Sequence, residues 1–143
     1  MRHDRQYGIG MLILKRLAVW LLETSCETLL LGLFLTVFLG FDQHAFGKAL
    51  LFYAGAVAFM AYTTGYLLTT VIVRAVWRSQ RLWLYPIVST VPFFIHSQIF
   101  FVASGGSTPS ERLWIRAAGA CIVFACTFAG TFALQKWVPT RSK

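Results

Sequence analysis

Four apolar runs, at about 17–41, 50–73, 82–103 and 113–134, alternate with short polar or basic segments along the chain. A helix rises about 1.5 Å per residue, so about 20 apolar residues cross a hydrocarbon core of about 30 Å, and every run reaches that length. Backbone polar groups in lipid must bond within the protein. The pattern therefore predicts an all-α membrane protein, a compact bundle of four transmembrane helices in a single domain over 1–143.

Small residues recur at helical spacing inside three of the runs. In the first they are Thr24, Thr28, Gly32, Thr36 and Gly40; in the second Ala54, Ala58, Ala61 and Gly65; in the last Ala117, Cys121, Ala125, Ala129 and Ala133. Each series reads as a ridge that lets another helix approach closely. Gly8 and Gly10 are expected to interrupt helix in the lead-in, and Pro86 and Pro92 to kink the third span. The later half of the second span is polar, with Tyr62, Thr63, Thr64, Tyr66, Thr69 and Thr70. The connections are 40–48, a basic loop at 74–81, and 104–110, where Thr108, Pro109 and Glu111 read as N-cap, first-turn proline and capping-box acid.

Composition sharpens this picture. The chain is 57% hydrophobic and 13% charged, with a mean hydropathy of +0.66, too apolar for a soluble domain of 143 residues. Its Lys and Arg residues, 13 against 5 Asp and Glu, flank the apolar runs instead of forming one patch, which argues against nucleic acid as a partner. Ten of the 13 fall in the N-terminal segment, the second connection and the C-terminal segment, so both termini are expected to be cytoplasmic in an inner (plasma) membrane. The basic start reads as a retained signal anchor, because no small-residue cleavage pattern follows it. Trp77, Trp83 and Tyr85 are expected at the cytoplasmic interface, and Arg112, Trp114 and Arg116 at the outer one. Cys26, Cys121 and Cys126 all lie within spans at no redox or metal spacing and read as packing residues.

Candidate chemistry begins with Glu23 and Glu27, four residues apart inside the first span. An ionised carboxylate at the bilayer centre costs at least about 2.5 kcal/mol, so both are expected to face protein, water or a cation, with a shared or exchangeable proton between them. Antiparallel placement of the spans brings Tyr62, Ser89, Thr90 and Thr127 near their levels and His96 within about a helical turn of Glu27. With the segment from Tyr62 to Tyr66 expected to line the route, Glu23, Glu27, Tyr62, Tyr66 and His96 form the proton- or substrate-binding set. A structural alternative pairs Glu23 with Arg74 or Arg78 and surrounds Glu27 with hydroxyls. No metal site, cofactor motif or hydrolase signature is present in the sequence, so no enzymatic activity is expected.

The four-span plan with a first-helix glutamate is similar in architecture to small proton-coupled efflux proteins. Arg74-Ala75-Val76-Trp77 and Lys136-Trp137-Val138 are loosely similar to the basic-aromatic helix ends of GtrA-like lipid-linked sugar flippases, although glutamates stand here where that family's first helix is expected to carry asparagine. The expected role is that of an accessory or assembly partner of a larger membrane system, with the bilayer, a membrane protein or a second copy as partners. The alternative is a proton-coupled transporter or lipid-linked substrate flippase using Glu27 and Glu23.

Overall fold

The structure is a computed structural model and describes residues 2–38, 43–76, 82–105 and 109–137. The apolar runs fold as helices α1 (Arg2–Phe38), α2 (Phe46–Thr63), α3 (Tyr66–Val76), α4 (Leu84–Ser104) and α5 (Pro109–Trp137), with a 3-10 turn at Gln43–Ala45. Among the described residues there is no strand. Four helical segments, Gly10–Phe38, Gln43–Thr63, Leu84–Ala103 and Arg112–Trp137, are long and apolar enough to cross a membrane. Hydroxyl side chains sit inside them at low cost because each bonds back to a carbonyl one turn earlier: Thr28 to Thr24, Thr36 to Gly32, Thr127 to Val123 and Thr131 to Thr127, all at 2.7–2.8 Å.

Three boundaries depart from the sequence reading. Helix α1 runs through Gly8 and Gly10 without a break, since a glycine costs only about 1 kcal/mol in a helix and both lie in a long helical stretch. The second span is divided: the Thr64 N–H bonds the Met60 carbonyl at 3.0 Å, Gly65 adopts φ +77°, and α3 starts at Tyr66. This is a left-handed helix end, which glycine supplies without a Cβ penalty. Arg74 and Ala75, placed in a loop by the sequence reading, belong to α3. Helix α4 is continuous through Pro86 and Pro92 and ends on Gly105 at φ +69°. Pro109 opens α5 as expected. Gly40, Trp77, Arg78 and Thr108, and the Glu111 side chain, lie outside the described residues.

The helices close a ring in which α1 packs on α2, α3 and α5, while α4 packs on α2, α3 and α5. Leu31, Val57, Met60, Ala61, Tyr66, Phe93, Ala120 and Val123 form the core. Two glycines permit the closest approaches. A Cβ on Gly32 would stand 2.9 Å from the Ala54 backbone nitrogen, and one on Gly119 would overlap the Phe93 ring. The Gly32–Ala54 contact is the meeting of the two expected ridges. The ridge of α5 turns out differently: Cys121, Ala125 and Ala129 are exposed, whereas Ala120, Val123, Cys126, Thr127 and Thr131 face inward. A strict four-residue repeat precesses by about 40° per step, so five such positions cannot share one face. Of the cysteines, Cys126 packs inside, and Cys26 and Cys121 are exposed.

Large apolar side chains, among them Leu21, Leu22, Leu29, Leu51, Phe59, Leu68, Ile95 and Ile99, cover the outside. An exterior this apolar matches hydrocarbon better than water.

Candidate functional site

The site is assembled from one stripe on α1, the short helix α3 and the facing sides of α4 and α5. Glu23 and Glu27 project from the same side of α1, and Tyr66, Thr70 and Arg74 repeat the four-residue spacing on α3, so the two stripes face each other. Glu23, Glu27 and Arg74 are 4%, 5% and 2% exposed.

Arg74 is held on several sides. Its Nη2 donates to Glu23 Oε1 at 2.7 Å and its Nη1 to Thr131 Oγ1 at 3.2 Å, and its guanidinium carbon lies 4.1 Å from the centre of the Tyr85 ring. This combines a buried ion pair with a cation–π contact. Gly130 on α5 makes the space, since a Cβ there would overlap the Glu23 carboxyl group. Toward the N-terminal end of α1, Trp20 Nε1 donates to Thr70 Oγ1 at 3.1 Å, and Arg16 donates to the Ala75 carbonyl at 3.1 Å.

Glu27 has different company. The Tyr66 hydroxyl donates to its Oε2 at 3.2 Å. The Tyr66 ring meets His96 edge-on at 5.9 Å and Phe93 at 6.2 Å, and His96 Nε2 is 3.3 Å from Thr69 Oγ1. His96 therefore reaches Glu27 through Tyr66 and not directly. Ser89 and Thr127 bond each other at 3.1 Å between α4 and α5.

Among the described residues, three buried atoms in this cluster have no hydrogen-bond partner: Glu23 Oε2, Arg74 Nε and His96 Nδ1. Among the described residues no three His, Cys, Asp or Glu side chains converge in a metal-binding group. The charge count matters more. Two buried carboxylates thus stand in the cluster with one buried guanidinium, which pairs with Glu23.

The structure brings together four of the five residues singled out from sequence, Glu23, Glu27, Tyr66 and His96. Tyr62 is the exception, at 80% exposure against 4% for Tyr66. Residues four apart share a face in an unbroken helix, but the left-handed turn at Gly65 lies between these two and re-aims the second. Tyr85, Thr131 and Gly130 are the residues that sequence reasoning did not assign to the site. Arg74 was named there as one of two possible partners for Glu23, and the structure makes that pair; Tyr85 reads as an interfacial aromatic until the guanidinium beneath it is seen.

Compared with family models, curated proteins and solved structures, the chain matches none.

Proposed function

We propose that this chain is a small polytopic carrier of the inner membrane, with both termini cytoplasmic, in which Glu27 is the exchangeable acid and Glu23–Arg74 the fixed ion pair beside it. The observation that carries this reading is the two-to-one ratio of buried carboxylates to guanidinium, with the unpaired acid bonded to Tyr66 on the helix that starts just after a break. Interrupted helices beside intramembrane acids are a recurring way to build an ion- or substrate-coupling site. Binding of a cation to Glu27 expels its proton, and return of the proton releases the cation. Tyr66 and Thr69 connect that event to His96.

Liposomes containing wild type or Glu27→Gln, supplied with a proton gradient, test the reading through uptake of a lipophilic cation and flipping of a fluorescent lipid. Gradient-dependent transport of either probe is expected in wild type and is expected to vanish in Glu27→Gln with helical content unchanged. Equal transport by the two proteins removes Glu27 from the mechanism.

A second reading, an accessory partner in a larger membrane assembly, draws on the α5 exterior. Cys121, Ala125 and Ala129 present small side chains there, next to Phe124, Phe128 and Phe132, a surface that another helix can approach. Recovery of a stoichiometric partner in mild detergent supports this role; a self-contained particle with saturable ligand binding opposes it.

A further inference from the structure

Toward the other end of the bundle, on the far side of Tyr66 from Arg74, a half-open cavity of about 70 Å³ lies between α1, α2, α4 and α5. Leu31, Ala56, Val57, Met60 and Phe93 line it, and Ser97 and Arg116 border it through nonpolar atoms. An apolar lining of this kind favours hydrocarbon over water.

Arg116 has an unusual set of partners for a cation. Its Nε donates to Ser97 Oγ at 3.2 Å, Nη1 to Gln98 Oε1 at 2.6 Å and Nη2 to the Phe94 carbonyl at 2.7 Å, while the guanidinium sits 5.2 Å from the centre of the Phe94 ring. Every acceptor is neutral. The guanidinium is fixed in position, among the described residues its charge has no carboxylate against it, and one N–H on each terminal nitrogen is left over by these bonds. Spare N–H groups on a fixed guanidinium can donate to a phosphate.

The cavity and Arg116 also bear on the acid site. Phe93 touches Tyr66, which bonds Glu27, so the apolar lining continues into the wall of the Glu27 site. Arg116 and Thr131 are separated by fifteen positions of α5, about 22 Å, which keeps the two arginines at different depths.

We propose that this cavity and Arg116 form a binding site for an anionic membrane phospholipid, the phosphate on the guanidinium and part of one acyl chain in the cavity. This rests on the carrier reading only insofar as the lipid is its substrate; the binding itself does not require transport. Basic residues between membrane helices recognise anionic headgroups by the same charge complementarity. A zwitterionic lipid offers the same chain but places its own cation beside Arg116, and so binds more weakly.

Native mass spectrometry of the full chain in mild detergent, with phosphatidylglycerol and phosphatidylcholine supplied in equal amounts, tests the site. Wild type is expected to retain one phosphatidylglycerol about tenfold more than phosphatidylcholine. Arg116→Gln is expected to lose that preference, Arg116→Lys to keep part of it, and Ala56→Leu, which fills the cavity without touching the charge, to lower retention of both lipids. No preference in wild type, the wild-type preference in Arg116→Gln, or unchanged lipid retention in Ala56→Leu overturns the proposal. Should Arg116→Gln fail to fold, an unchanged retention in Ala56→Leu overturns it alone. Glu27→Gln is expected to retain phosphatidylglycerol normally. Lipid preference with no transport in wild type defeats the carrier reading and leaves this site standing; Glu27-dependent uptake with no lipid preference does the reverse.

Discussion

At the scale of single residues, two glutamates one helical turn apart have been given different work by their neighbours. Glu23 neutralises Arg74, and removing either partner strands a buried charge, which costs about 3–5 kcal/mol. Glu23→Gln is therefore expected to lower the unfolding midpoint in detergent strongly, and Glu23→Gln combined with Arg74→Gln to recover part of the loss. Glu27→Gln keeps shape and hydrogen-bonding capacity and is expected to cost less than about 1 kcal/mol. Equal destabilisation by Glu23→Gln and Glu27→Gln contradicts the division of roles. Gly130→Ala tests the same pair from the other side. Its methyl group displaces the Glu23 carboxyl group, so it is expected to destabilise although alanine is the better helix former.

At the scale of elements, the division of the second span into α2 and α3 is what turns Tyr66 and Arg74 inward. Gly65 and Gly55 give a matched comparison, because a Cβ at either one meets nothing within 4 Å and only Gly65 has a positive φ. Gly65→Ala is expected to cost about 1–2 kcal/mol in unfolding experiments, and Gly55→Ala to be neutral or to stabilise by up to about 1 kcal/mol. Matching effects of the two substitutions contradict a backbone role for Gly65. Apolar run length alone was enough to find the four long segments, because satisfying the backbone in lipid leaves helix as the solution. The break was harder to see: Thr63-Thr64-Gly65 carries the composition of a helix end, yet Gly65 also continues the small-residue series of Ala54, Ala58 and Ala61. The outward turn of the α5 ridge had a visible signal in its precession, as did the inward stripe of Tyr66, Thr70 and Arg74. What a single sequence does not contain is the relative rotation of two helices about a left-handed residue, and that rotation separates Tyr62 from the site.

At the scale of the whole molecule, an apolar exterior surrounds two polar centres at different depths. One is the Glu23–Arg74 pair with Glu27 and Tyr66; the other is Arg116 with its neutral acceptors beside the apolar cavity. Reporter fusions after each helix are expected to place both chain ends and the connection between α3 and α4 on the cytoplasmic side; a terminus on the opposite side contradicts the orientation drawn from the basic residues. The central claim is that the exchangeable proton of the bundle resides on Glu27. Infrared difference spectroscopy of the reconstituted protein across a pH titration tests it most directly. The account predicts a carboxyl band that responds to pH, is absent in Glu27→Gln and persists in the Glu23→Gln, Arg74→Gln double variant; a band unchanged in Glu27→Gln contradicts it.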